Sequence, residues 1–177
     1  RDRSMTATKA IPVKRLLSAQ AYQLIDREIA KYPADQKQSA VMGALTIAQD
    51  EVGWVSPAVI EDVADYLSMP PIAVYEVATF YNMYNLEEVG TWKIGVCTCL
   101  PCALREGDKA GEYLKQKLGI DFGETTPDGR FTLIETECLG SCADAPICLI
   151  NDKRVESFMD NAKLDALIDE LRNKERH

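Results

Sequence analysis

Trp92-Lys93-Ile94-Gly95-Val96-Cys97-Thr98-Cys99-Leu100-Pro101-Cys102 opens the second half of the chain. Its first five residues alternate like a strand and deliver Cys97 at the carboxyl end. A helical pattern follows, with Ala110, Tyr113, Leu114, Lys117 and Leu118 at i, i+3, i+4 spacing and Gly119 as its stop. Asp121 to Arg130 is a loop rich in Gly, Thr and Pro, closed by Pro127-Asp128-Gly129. Phe131-Thr132-Leu133-Ile134-Glu135-Thr136 reads as a second strand leading to Cys138-Leu139-Gly140-Ser141-Cys142. Ile147 to Ile150 is a short third strand, Asn151-Asp152 a turn, and Arg154 to Phe158 its hairpin partner. Asp160 then caps a last helix with Leu164, Leu167, Ile168 and Leu171 on one face.

The order β-α-β-β-α predicts a thioredoxin-like α/β domain over residues 89–177. Upstream the pattern is helical. Ser18 can cap a helix striped by Ala21, Leu24, Ile25 and Ile29, with Pro33 beyond it. Asp35 with Gln38 resembles a capping box for a second helix carrying Val41, Ala44, Leu45, Ala48 and Val52, stopped by Gly53. Ser56-Pro57 opens a third, with Ile60, Val63, Ala64 and Leu67 inward. Pro70-Pro71 starts a fourth through Tyr75 and Ala78, leading to the aromatic residues Phe80, Tyr81 and Tyr84. Some of that aromatic surface suits either the bundle's own core or a partner. The expected organisation is α+β: a flexible or partner-bound arm over residues 1–15, a helical domain over 16–88, and the α/β domain.

Composition narrows the function classes. With Lys+Arg 20 against Asp+Glu 28 the net charge is −8. An acidic chain without a basic stripe does not suit nucleic acid, whose binding depends on phosphate neutralisation. No apolar run approaches the ~20 residues of a membrane span, so direct membrane insertion is not expected. Arg1-Asp2-Arg3-Ser4-Met5 contains no apolar signal-peptide core. The residues ahead of Met5 read as an expression remnant or a processed natural start. The one histidine is His177, the last residue. Histidine-ligated zinc, Rieske centres and Cys–His catalysis all need an imidazole near the chemistry, which a terminal residue does not readily supply.

Five of the six cysteines lie in the two short stretches. Clustered cysteines in a chain without a visible signal peptide read as reduced ligands rather than disulfides. As C-x4-C and C-x3-C they offer four thiolates, a set that selects an iron–sulfur cluster or zinc over hard cations. Three other readings compete. Zinc ribbons also use two cysteine pairs, but in small folds that depend on the metal. Cys99-Leu100-Pro101-Cys102 is a C-x-x-C between strand and helix, the placement of a thiol–disulfide exchanger. Buried structural cysteine is the third, and suits Cys148 within Ile147-Cys148-Leu149-Ile150. No G-x-G-x-x-G or G-x-x-x-x-G-K-[ST] is present, so a nucleotide site is not expected on this chain.

Cys97-x4-Cys102 and Cys138-Leu139-Gly140-Ser141-Cys142, followed by Ala145-Pro146, resemble the 24 kDa subunit family of NADH:quinone oxidoreductase (respiratory complex I). Gly53-Trp54-Val55, Val77-Ala78-Thr79-Phe80-Tyr81 and Asp128-Gly129-Arg130-Phe131-Thr132-Leu133 support it, over roughly residues 17–173. The resemblance implies a thioredoxin-like [2Fe–2S] ferredoxin with one cluster on Cys97, Cys102, Cys138 and Cys142. It also implies an FMN- and NADH-binding partner subunit, alongside other peripheral-arm subunits. FMN and NAD would be reached only through that partner, and the isolated chain would not oxidise NADH. The implied location is a peripheral arm on the cytoplasmic side of a bacterial inner membrane, or the matrix in mitochondria. Related subunits serve NAD-reducing hydrogenases and NAD-dependent formate dehydrogenases. Cys99 and Cys148 are additional to the four-ligand pattern.

Overall fold

A computed structural model of the chain describes residues 15–174. The arm expected over 1–15 therefore lies outside the described residues except for Arg15, as does His177. The chain divides into two compact units, one running through Glu87 and the other starting at Glu88.

The first unit is four helices: α1 (Ala19–Ile29), α2 (Val41–Val52), α3 (Pro57–Leu67) and α4 (Pro71–Phe80). The Ser18 and Ser56 hydroxyls accept from the amides of Ala21 and Val59, so both expected serine caps form. Gly53 closes α2 at φ 99°, a left-handed conformation that costs glycine nothing. The expected capping box does not form. A 3₁₀ turn, Lys37–Ala40, feeds α2 instead, and Gln38 bonds Gln36 rather than a helix-end amide. Two residues of the expected stripes, Leu24 and Val52, face outward; Ala21, Ile25, Val41, Ala44, Leu45 and Ala48 carry the core. Tyr84 leaves the aromatic surface too: it is buried, and its hydroxyl donates to the Met42 carbonyl. Phe80 remains 79% exposed.

Arg15 is tied into this unit. Its guanidinium donates to Asp62 Oδ1 at 2.9 Å and to Asp65 Oδ2 at 2.7 Å, over the rings of Tyr22 and Tyr66. Asp62 is fully buried and also accepts from the Leu16 amide and the Tyr22 hydroxyl. A buried carboxylate is tolerated when its lone pairs are filled in this way.

The second unit is a four-stranded mixed sheet in the order β2-β1-β3-β4, with β1 (Trp92–Cys97), β2 (Phe131–Thr136), β3 (Ile147–Ile150) and β4 (Arg154–Ser157). β1 and β2 are parallel, paired from Trp92↔Phe131 to Cys97↔Thr136. The remaining pairs are antiparallel. The helices are α5 (Leu100–Ala103), α6 (Gly107–Leu118) and α7 (Asn161–Asn173). α6 crosses over between the parallel strands, and α7 joins it against the sheet residues Trp92, Ile94, Val96, Phe131, Leu133, Cys148 and Ile150. Although the sequence of β1 alternates, every residue in it is buried. The expected order β-α-β-β-α is present, with the single-turn α5 as an addition. Gly95 sits where a Cβ would come within 2.4 Å of Thr136 Cγ2, so the β1–β2 face has no room for a side chain there.

Candidate metal centre

Parallel pairing of β1 with β2 puts their carboxyl ends at one edge, and both cysteine stretches leave from that edge. Cys97 is the last residue of β1, opposite Thr136, and Cys138 lies two residues beyond Thr136 in sequence. Cys99 occupies the cap position of α5 and Cys102 lies within that helix. Cys142 begins a 3₁₀ turn, Cys142–Asp144, that leads to the cis peptide Ala145–Pro146 and into β3.

The stretches differ in exposure. Cys97 and Cys102 are buried with Ala145 and Ile147 in a small cluster of their own, against which Cys99 and Leu139 pack. Cys138 is exposed and Cys142 half-buried. The Cys102 thiol is pushed up to about 11 by burial, with hydrogen bonding to Cys97 adding to it and an amide bond from Ile147 opposing it. Cys99 is also pushed up to about 11, by desolvation first and then by Cys97 and Glu137. Thiols held that high are weak nucleophiles near neutral pH, which counts against exchange chemistry at Cys99-x-x-Cys102.

Cys138 Sγ and Cys142 Sγ are 3.6 Å apart. That is far beyond a disulfide bond of about 2.05 Å, and all six cysteines are unbridged. It matches the edge of about 3.8 Å expected between two thiolates bound tetrahedrally to one metal at about 2.3 Å. The Cys138 thiol is held below its ordinary range, chiefly by the Gly140 amide and then by Cys142. Gly140 has φ 76°, the left-handed turn that lets its N–H point back at the sulfur. The Cys142 thiol is shifted upward through its bond to Cys138 and feels the charge of Cys97. Among the described residues, no three His, Cys, Asp or Glu side chains converge as on a single ion. The contacts present join Cys138 to Cys142, with Cys97 and Cys102 buried together in one small cluster.

The pattern of the chain matches the family model described as "Thioredoxin-like [2Fe-2S] ferredoxin" over residues 25–172. The chain belongs to the thioredoxin-like [2Fe–2S] ferredoxin family. It is 46% identical to the E subunit of NADH-quinone oxidoreductase from Rickettsia conorii, across 85% of this chain and 90% of that one. It is 40% identical to the mitochondrial "NADH dehydrogenase [ubiquinone] flavoprotein 2" of Dictyostelium discoideum, across 84% of this chain and 60% of that one. Among solved structures, an NAD+-reducing [NiFe]-hydrogenase in the H2-reduced state matches with a TM-score of 0.66 at 23% identity. That match covers 76% of this chain and 22% of the hydrogenase chain, and it shows the shared fold. Family membership favours the two-iron reading of the paired thiols over a zinc ribbon.

Cys148 stands apart. It is buried in the main core of the sheet, and desolvation pushes its thiol up to about 12. Two contacts at the edge carry no signature in the cysteine spacing: Thr98 with Glu135, and Cys99 with Glu137. Among the described residues no helix is long and apolar enough to cross a membrane.

Proposed function

We propose that this chain is the electron-transfer subunit of an NADH-quinone oxidoreductase, holding one [2Fe–2S] cluster on Cys97, Cys102, Cys138 and Cys142. The observation that carries the reading is the meeting of two cysteine pairs where two parallel strands end, one pair already at 3.6 Å, in a member of this family. The residues present fit the group. They offer soft sulfur donors two by two, with the amides of Gly140 and Ile147 directed at cysteine sulfurs. When bound, such a cluster supplies a one-electron acceptor and donor.

The chain's own residues do the rest. Burial of Cys97 and Cys102 keeps water from one side of the site, while the exposed Cys138 leaves the other side open to a partner. The Ile147 amide opens β3, where Ile147 pairs with Ser157 of β4. The Gly140 amide is held by the turn itself.

Hydride chemistry belongs elsewhere. A centre that carries one electron at a time cannot take a hydride, and splitting the NADH electron pair is flavin chemistry. The partner proposed is an FMN- and NADH-binding subunit, within a peripheral arm on the cytoplasmic face of a bacterial inner membrane or in the mitochondrial matrix. The equivalent role in a hydrogenase or formate dehydrogenase has less support, because the hydrogenase likeness is one of fold alone.

Stopped-flow mixing tests the assignment. The pure, cluster-loaded chain with NADH alone should show no bleaching and no NADH loss. Addition of the flavoprotein subunit should bring reduction of one electron per chain. NADH oxidation by the pure chain, or no electron exchange with the flavoprotein, would contradict the proposal.

A further inference from the structure

We infer that Glu135 and Glu137 are positioning residues of the metal centre: they tie the two cysteine stretches together and set the electrostatic cost of adding an electron there. This rests on the [2Fe–2S] reading above. Thr98 Oγ1 donates to Glu135 Oε1 at 2.5 Å, and Cys99 Sγ donates to Glu137 Oε2 at 3.7 Å. Both donors lie between Cys97 and Cys102, and both acceptors lie just ahead of Cys138. The β1–β2 ladder ends at Cys97↔Thr136, so these side-chain contacts continue the link between the strands where backbone pairing stops.

Charge adds a second role. Both glutamates are exposed, and among the described residues neither has a Lys or Arg partner. Two uncompensated carboxylates beside a centre that gains an electron disfavour the reduced form. Water attenuates the effect, which sets its scale at a few-fold rather than orders of magnitude. The step concerned is the addition of one electron from an external reductant, with no bond made or broken in the protein.

The test is a dithionite potentiometric titration of the cluster-loaded full chain, followed by electron paramagnetic resonance, for Glu135→Gln, Glu137→Gln and the double variant. Glutamine keeps an acceptor oxygen for Thr98 or Cys99 and removes the charge. Asp169→Asn serves as the control, on α7 toward the end that Arg130 holds. Each single variant should raise the equilibrium constant for reduction about threefold, about 30 mV, and the double variant about tenfold, about 59 mV. Iron and sulfide content should stay at the wild-type level.

Salt gives a measurement that depends on no variant. Raising ionic strength from about 0.01 to 1 M shortens the screening length from about 30 to 3 Å. The wild-type potential should therefore move positive, and that of the double variant by less. Glutamine variants that shift no more than Asp169→Asn, or a wild-type potential indifferent to salt, would overturn the inference. Wild-type protein without iron and sulfide would overturn the underlying reading instead.

Discussion

A cysteine sulfur is defined by what surrounds it, and the six here fall into distinct settings. Cys148 lies in an apolar core with its thiol held protonated to about 12 by burial. Cys97 and Cys102 are buried at the edge of that core, and Cys138 and Cys142 face each other outside it. Serine in place of Cys97, Cys102, Cys138 or Cys142 swaps a soft thiolate for a hard hydroxyl and should abolish or distort the cluster's visible spectrum. Cys148→Ser should leave that spectrum nearly unchanged. Its cost is stability, about 1–3 kcal/mol for a hydroxyl in an apolar site. Absorption spectra and urea denaturation of the set check both outcomes. Cluster loss in Cys148→Ser, with the fold retained, would contradict the assignment. Cys99 is the residue that spacing left open, since it competes with Cys97 as the partner of Cys102. The structure turns the Cys99 thiol to Glu137, a placement that depends on a contact 38 residues away and so has no local signal.

At the scale of elements, the segment Asp128-Gly129-Arg130 shows how a pattern can be visible before its reason is. Asp128 Oδ1 accepts from the Thr126 hydroxyl and the Arg130 amide, with Gly129 at φ 67° completing the turn. This aims the Arg130 guanidinium at the far end of α7, where it donates to the carbonyls of Leu171, Arg172 and Lys174. Those carbonyls lack intrahelical partners, and a cation there also complements the helix dipole. Arg130→Ala should therefore destabilise the second unit by about 1–2 kcal/mol. Amide exchange should quicken in the last turn of α7 and not around the cysteines. Uniform exchange across the unit would contradict this role. Helix starts were legible where one side chain acts on its own neighbours, as at Ser18, Ser56 and Asp160, whose caps all form. Asp35 with Gln38 misled because a 3₁₀ turn competes for the same amides. Leu24 and Val52 misled because a helical stripe tells which residues could share a face, not how wide the covering surface is. The four-residue α5 is too short for periodicity to reveal.

For the whole molecule, strand order and the clustering of cysteines outlined the second unit, since both follow from local pattern and chain connectivity. The direction of β1 relative to β2, which brings the cysteine stretches to one edge, follows from the α6 crossover between them. Two ion pairs of that unit, Lys117 with Asp165 and Arg154 with Glu170, were not legible because they join residues 48 and 16 positions apart. Asp121 is held below the ordinary carboxylate range by Lys115, Asp128 by Thr126, Asp165 by Lys117, and Glu170 by Arg154. A carboxylate whose pKa is lowered on folding contributes stability that is complete above its unfolded value of about 4 and disappears as pH falls through the folded value. The melting temperature should therefore drop as pH falls from about 5 to 3. Higher salt at pH 7 should lower it too, because these pairs are largely exposed. A melting temperature that is flat over that acid range would contradict the role of these carboxylates.

We propose that the two cysteine pairs hold a two-iron cluster rather than a single zinc ion or a reactive dithiol. Chemical analysis of freshly purified protein for iron, acid-labile sulfide and zinc, with an optical spectrum before and after dithionite, tests it most directly. About two irons and two sulfides per chain are expected, the content of one [2Fe–2S] centre, with visible bands that bleach on reduction. Colourless protein carrying one zinc per chain, or metal-free protein with a reducible Cys99–Cys102 disulfide, would contradict it.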